Sequence, residues 1–102
     1  MLEYWLWLTT RHGLSNREMH AVVRRFGSPE AAYYADAAAY RGIEGLTDAS
    51  PLEEKKLEGV RQILADCHRK SIHILTWQDA AYPARLRNID DPPLVLYYQG
   101  TL

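Results

Sequence analysis

The sequence pattern changes after residue 70, and this change constrains the fold more than any other feature. Before it, apolar residues recur at intervals of three and four between capping residues and glycines, which is typical of short helices. After it, residues 72–77 and 94–98 form short runs rich in β-branched and aromatic side chains, which indicates strands. The sequence therefore predicts a mainly α fold: a small helical bundle over residues 1–70, followed by two strands in residues 71–102.

The first two helices have clear signals. Residues 2–8 are apolar on nearly all sides, which predicts a helix in the centre of the bundle. Ser15 and Glu18 form a capping box for the second helix, which Gly27 ends.

The rest of the bundle is predicted from similar signals. Ser28 and Pro29 begin a third helix, with a restart at Asp36. The longest helix is predicted from about Pro51 to about Lys70, with Ser50 as its cap. Its buried stripe is formed by Leu57, Val60, Leu64 and Cys67, with Ile63 beside it. On this stripe Cys67 is expected to be a core thiol.

The second strand sets the expectation for the last segment. Leu94–Tyr98 is a continuous apolar run, typical of a strand that is buried on both faces in a parallel sheet. Two strands cannot form a doubly wound sheet, so we expect residues 71–102 to begin an incomplete, truncated α/β domain. The two strands then have three alternatives: to pair with each other, to pack on the helices or to exchange between chains.

Composition narrows the functional classes. The net charge of −1 gives no overall attraction to nucleic acid, so any such contact needs a local basic face. The single Cys67 excludes an internal disulfide and suits a reducing compartment. The apolar run of residues 2–8 is far shorter than the ~20 residues of a membrane span and contains Glu3 instead of a basic start. A cytoplasmic protein without membrane contact is predicted.

No catalytic arrangement can be assembled from the sequence. The adjacent acids at 53–54 and 90–91 do not face each other on a helix, and no glycine-rich phosphate loop follows either strand. The histidines show no metal-ligand spacing; they are His12, His20, His68 and His73. We therefore predict no catalytic residues, no metal, no cofactor and no enzymatic activity.

One face of the second helix is basic. Arg17, His20 and Arg24 fall on this face, with Arg25 adjacent. Arginines on one helical face can neutralise phosphates without reading sequence, which makes Arg17, Arg24 and Arg25 candidate DNA-binding residues. The alternative is a solvated face opposite an apolar stripe.

The turn from Gly42 to Gly45 is the second candidate contact. A glycine-rich turn between two helices lets backbone amides approach a phosphate, as in helix-hairpin-helix motifs. In this chain Ile43 and Glu44 separate the glycines, and the charge of Glu44 opposes a phosphate. A turn that serves packing alone is the alternative.

The last quarter of the chain resembles a known family. It follows the pattern D-x-x-Y-P-x-x-L-x-x-I-x-D-P-P-x-x-L-x-x-x-G, carried by Asp79, Tyr82, Pro83, Leu86, Ile89, Asp91, Pro92, Pro93, Leu96 and Gly100. This pattern resembles the start of the nucleotide-fold domain in the bacterial DNA-processing protein A family, also called DprA or Smf. The helical part is similar to that family in layout.

The resemblance implies a fold and a function. The family's proteins are cytoplasmic, bind single-stranded DNA and help to load the RecA recombinase during natural transformation. Residues 1–70 would be an accessory domain similar to sterile-alpha-motif (SAM) or helix-hairpin-helix domains, and residues 71–102 would begin a Rossmann-like domain. The residues around Tyr82-Pro83 and Pro92-Pro93 would shape the approach to its sheet. The family's principal DNA-contacting positions have no counterpart in this sequence.

A protein-interaction module is the alternative function. Tyr33, Tyr34 and Tyr40 lie near an acidic stretch and would serve as anchors for a partner protein or for a homo-oligomer if they form one exposed patch. If they pack inward, they belong to the core.

Overall fold

The computed structural model describes residues 1–100, of which about half are helical. The last two residues of the predicted second segment lie outside this range. The helices are α1 (Leu2–Thr9), α2 (Asn16–Phe26), α3 (Pro29–Tyr34), α4 (Glu58–Arg69) and α5 (Ala84–Arg87), with two 3-10 turns, Ala37–Tyr40 and Ser50–Glu53, and strands β1 (His73–Thr76) and β2 (Val95–Tyr98). Within residues 1–100 the mainly helical prediction is confirmed. In the same range, no helix combines the length and apolar character needed to cross a bilayer.

Helix α1 lies at the centre of the fold, as its apolar pattern predicts. Leu6, Trp7 and Leu8 are fully buried. The helix contacts α2, α3, α4 and β2, so its apolar sides each meet a different neighbour.

Helix α2 begins and ends where the capping signals predict. The Ser15 hydroxyl accepts a hydrogen bond from the Glu18 amide at 3.1 Å, and the Glu18 carboxylate accepts one from the Ser15 amide at 3.0 Å. Gly27 ends the helix with a φ of +88°, in the left-handed region that glycine adopts without strain. The buried side of the helix is formed by Met19, Ala21 and Val22.

The start of α3 and the restart after it are also confirmed. The Ser28 hydroxyl accepts a hydrogen bond from the Ala31 amide at 3.1 Å. The Asp36 carboxylate does the same for the Ala39 amide at 3.0 Å and begins the first 3-10 turn.

The prediction of one long helix over residues 51–70 is wrong. Ser50–Glu53 is a 3-10 turn, the chain is irregular over residues 54–57, and α4 begins only at Glu58. Ser50 is not a helix cap, because its amide and hydroxyl both donate to the Asp48 carboxylate at 3.0 Å.

Tertiary contacts explain the interruption of this helix. The Glu54 carbonyl accepts hydrogen bonds from the Trp7 indole at 2.6 Å and from the Arg11 guanidinium at 3.0 Å. The Lys55 carbonyl accepts one from the Tyr33 hydroxyl at 2.6 Å. A helical turn would point these carbonyls along the helix axis, so the bonds to α1 and α3 favour an open backbone. The predicted buried stripe is confirmed for the part that lies in α4, where Val60 and Cys67 are buried.

The prediction of a buried strand in a parallel sheet is also wrong. β1 and β2 pair antiparallel, with His73 opposite Tyr98 and Thr76 opposite Val95. The connection between them reverses the chain direction, and Tyr97 remains about half exposed at 49%. Of the three alternatives for the strands, two are observed together: the strands pair with each other and pack on the helices.

The strand pair packs on the helical core. Leu94 and Val95 belong to the same buried cluster as α1 and α2, and Ile74 and Trp77 pack against it. The second segment therefore shares a core with the first, while the division at residue 70 stays a prediction.

Candidate nucleic-acid interface

Helix α2 presents the predicted arginines to solvent. Arg17 and Arg24 are seven residues apart, so they project from the same face, and Arg25 is adjacent. All three are exposed. Within residues 1–100 the ion pairs reduce to one, between Asp66 and Arg69, so no carboxylate contact neutralises the three arginines.

The first groove lies between α2 and the glycine turn and is called the Gly45 groove. Its volume is about 460 Å³, and it is lined by Arg17, Ala21, Arg24, Arg25, Ile43, Glu44 and Gly45. Four of the five predicted DNA-binding residues therefore lie around one groove. The fifth, Gly42, is exposed on the same turn but does not line it.

The conformation of the turn explains its glycines. Gly42 and Gly45 have φ values of +72° and +90°, which other residues adopt only with strain. A Cβ atom on Gly45 would lie 3.6 Å from the Cβ of Ala21, an ordinary contact, so backbone conformation rather than space favours glycine there. Glu44 is the one acidic residue of the groove, against three arginines.

The second groove lies on the other side of the same arginines and is called the Trp77 groove. Its volume is about 420 Å³, and it is lined by Arg17, His20, Arg24, Trp77, Arg87, Asp90, Asp91 and Pro92. Arg17 and Arg24 line both grooves, and Arg25 lines the first. These three residues of α2 therefore form a basic ridge between the two grooves, called the arginine ridge.

Aromatic side chains hold Arg87 in the second groove. The guanidinium carbon lies 4.7 Å from the ring centroids of both Trp77 and Tyr82, within cation–π distance. A hydrogen bond of 3.0 Å from Arg87 to the Asp79 carbonyl fixes the same group. Burial raises the pKa of the Tyr82 hydroxyl, and the nearby Arg87 charge partly offsets that rise.

His20 joins α2 to this region. Its Nε2 lies 2.9 Å from the carbonyl oxygen of Pro92, at hydrogen-bond distance. Its ring meets the Trp77 ring edge to face at a centroid distance of 4.6 Å. The position of the second segment on α2 is therefore set by specific contacts as well as by apolar packing.

The residues of the family-like pattern make structural contacts. The Asp79 carboxylate accepts a hydrogen bond from the Thr76 amide at 2.6 Å, and the buried Tyr82 donates its hydroxyl proton to the Pro93 carbonyl at 2.6 Å. Pro83 precedes α5, on which Leu86 is partly buried. In the middle of the pattern, the Asp91-Pro92 pair lines the Trp77 groove, and at its end Gly100 is exposed with a φ of +80°.

The tyrosines proposed as partner anchors do not form one exposed patch. Tyr40 is buried, and Tyr33 packs edge to face on Trp7 at a centroid distance of 5.1 Å. Tyr34 is exposed, with its hydroxyl 2.7 Å from that of Tyr4. Because Tyr33 and Tyr40 pack inward, they belong to the core and are not anchors for a partner.

Sequence reasoning did not single out Trp77 and Arg87 as site residues. They lie more than fifty residues from α2 in the chain, and neither belongs to the spaced pattern of residues 79–100. Only the packing of the second segment on α2 brings them to Arg17 and Arg24.

The fold and the grooves together define a class of molecule: a small, mainly helical protein whose second helix carries an arginine ridge between two surface grooves. Comparison with protein-family models, with curated proteins and with solved structures finds no match to this chain.

Proposed function

We propose that this chain is the N-terminal accessory module of a DNA-processing protein of the DprA type. Such a protein binds single-stranded DNA and assists the loading of a RecA-type recombinase during natural transformation. The module has no catalytic activity of its own in this proposal, and its protein is cytoplasmic. The pattern of residues 79–100 supports the family, and the arginine ridge supports a contact with DNA.

One observation supports the DNA contact most strongly. Arg17, Arg24 and Arg25 converge with Gly45 on one groove, and no carboxylate within residues 1–100 pairs with them. Paired arginines would have to exchange a protein partner for a phosphate. Unpaired ones release only water and counterions, so their phosphate contacts depend on salt and not on base sequence.

The charge balance predicts weak binding. The whole chain has a net charge of −1, and Glu44 lies in the Gly45 groove. Three phosphate contacts against this background correspond to an affinity that is measurable at low salt and falls steeply as salt is added.

The same proposal includes the finer description of the fold. The α1–α4 bundle is proposed to be of the SAM-like or helix-hairpin-helix-like kind, since a turn with two left-handed glycines joins its helical segments. The antiparallel β1–β2 pair is proposed to be the beginning of a Rossmann-like domain, because such sheets can carry an antiparallel strand at the edge.

Charge reversal on the ridge tests the DNA contact. We expect the triple variant Arg17→Glu, Arg24→Glu, Arg25→Glu to lower the affinity for labelled single-stranded DNA by at least about tenfold, because three phosphate contacts become repulsive. The loss should be similar for every DNA sequence. Fluorescence anisotropy at low and at moderate salt measures both the affinity and its salt slope.

A charge-matched variant is the control for this test. The control combines Arg61→Glu, Lys70→Glu and Arg85→Glu. It changes the net charge by the same amount as the ridge variant, at exposed positions that line neither groove. An equal loss in the control would show that only total charge matters and would contradict the proposed ridge. A loss that depends on the DNA sequence would contradict phosphate contact as its origin.

A protein-docking module is the second candidate. The exposed Tyr97 on β2 favours it, because an edge strand with an exposed aromatic side chain can pair with another chain. Absence of DNA binding at low salt, together with self-association in sedimentation velocity, would favour this candidate over the first.

A further inference from the structure

We infer that the Trp77 groove receives a base of the bound single strand, and that it favours bases carrying an exocyclic amino group. This inference rests on the proposed function, because it assumes that the phosphates of the strand contact Arg17 and Arg24. It adds a binding role for Trp77, Arg87, Asp90 and Asp91.

The first argument is the shared ridge. Arg17 and Arg24 line both grooves, so a phosphate bound between them lies at the rim of the Trp77 groove. A nucleotide bound by its phosphate at this rim places its base within reach of the groove. The volume of about 420 Å³ falls within the ~300–1,000 Å³ range of small-ligand sites.

The second argument is the stacking surface. The Arg87 guanidinium is held over the Trp77 and Tyr82 rings at 4.7 Å and is fixed by its hydrogen bond to the Asp79 carbonyl. A planar guanidinium fixed in this way loses little freedom when a base stacks on it, and bases of single strands stack on arginine planes and on aromatic rings. Trp77 itself is only partly buried and lines the groove.

The third argument is the pair of carboxylates. Asp90 and Asp91 are exposed and line the end of the groove formed by the segment before β2. Carboxylates repel phosphates but accept hydrogen bonds from amino groups such as the N4 amino group of cytosine. The arginine ridge therefore favours a phosphate. The end of the groove with Asp90 and Asp91 repels a phosphate and accepts hydrogen bonds from the amino groups of a base.

This arrangement predicts a base preference. Cytosine, adenine and guanine carry an exocyclic amino group, whereas thymine carries none. Thymine offers the carboxylates only its N3–H, and the carbonyl oxygens on both sides of that donor are acceptors that oppose the carboxylates. We therefore expect oligocytidylate to bind more tightly than oligothymidylate.

The experiment compares three DNA oligonucleotides of equal length: oligo-dC, oligo-dT and an abasic strand with the same phosphates. Anisotropy is measured at low salt and neutral pH. We expect oligo-dC to bind about fivefold more tightly than oligo-dT, and the abasic strand to bind about tenfold more weakly than oligo-dC.

Two variants test the two parts of the groove separately. The first is the double variant Asp90→Asn, Asp91→Asn. Its preference for oligo-dC over oligo-dT should fall to within about twofold, and its binding of oligo-dT should improve, because the amides neither repel phosphate nor reject thymine. Glu53→Gln, Glu58→Gln is the charge-matched control outside both grooves and should keep the preference. Arg87→Gln should reduce the difference between oligo-dC and the abasic strand.

The outcomes distinguish this inference from the proposed function. Equal binding of all three strands with a steep salt dependence would overturn the base site and leave the phosphate contact in place. A dC preference that survives in the Asp90→Asn, Asp91→Asn variant would also overturn it. No binding of any strand at low salt would overturn both.

Discussion

At the residue scale, the side chain of Lys55 joins the irregular residues 54–57 to α3 and to the first 3-10 turn. Its ammonium group donates to the Tyr33 carbonyl at 2.7 Å and to the Tyr40 hydroxyl. It also lies 5.2 Å from the Trp7 ring centroid and 4.8 Å from that of Tyr40. Partial burial lowers the pKa of Lys55, and the nearby charge of Glu53 partly offsets that fall.

Replacement of this lysine tests its role. We expect Lys55→Met to lower the free energy of unfolding by about 1–3 kcal/mol, because the partly buried acceptors on Tyr33 and Tyr40 lose their charged donor. Urea denaturation followed by circular dichroism measures the change. Lys56→Met is the control, since Lys56 is exposed and donates no side-chain hydrogen bond within residues 1–100. Equal stability of the two variants would contradict a structural role for Lys55.

At the element scale, α2 is positioned by local signals that are independent of the rest of the fold. Its capping box satisfies the first amides of the helix, and Gly27 ends it two residues after Arg25. The phase of the helix then places Met19 and Val22 in the core and the arginines in solvent. The arginine ridge is thus a consequence of where the helix begins.

The capping box gives a pH-dependent prediction. Hydrogen bonds from Ser15 lower the pKa of Glu18 in the folded chain. The stability that Glu18 contributes is therefore present above its unfolded value of 4.5 and is lost as pH falls through the lower folded pKa. Ser15→Ala should cost about 1 kcal/mol at neutral pH.

Chemical denaturation at two pH values checks this prediction. Glu18→Gln should be less stable than the natural chain at pH 7, and the difference should vanish at a pH below the lowered folded pKa of Glu18. Glu58→Gln, in the first turn of α4, is the matched control because that helix has no side-chain cap. A difference that stays constant across pH would exclude ionised Glu18 as its source.

At the scale of the whole molecule, buried tyrosines make the stability of the fold depend on pH in the alkaline range. Burial raises the pKa of Tyr40 to about 12, and it also raises the pKa of the buried Tyr82. The unfolded chain loses these protons near pH 10, while the folded chain retains them. Their contribution to stability is therefore complete below pH 10 and is lost as pH rises toward the folded pKa values.

We expect the free energy of unfolding to fall between about pH 10 and pH 12. Lys55 acts in the opposite direction just below its unfolded pKa of 10.5, because its folded pKa is lowered and the unfolded chain binds more protons there. Tyr40→Phe should flatten the alkaline decline, because it removes the buried hydroxyl with the raised pKa. Stability that is constant up to pH 12 would contradict the assignment of a raised pKa to Tyr40.

The candidate site was only partly predictable from the sequence, because some of its residues meet through contacts between distant parts of the chain. Arg17 and Arg24 were predicted to share a face because seven residues make about two helical turns. Trp77 and Arg87 were not predicted, because their place beside α2 depends on contacts such as that of His20 with Pro92, 72 residues apart in the chain.

The sequence by itself determined the features that depend on a few neighbouring residues: where α2 and α3 begin, where α2 ends and which side of α2 is basic. Tertiary structure alone decided the break after Glu53, the antiparallel pairing of the strands and the union of both segments around the arginine ridge. The physical reason is the range of the interactions. A cap or a helical stripe acts over three or four residues, whereas the bond from Trp7 to the Glu54 carbonyl joins residues 47 positions apart and exists only once the core has formed.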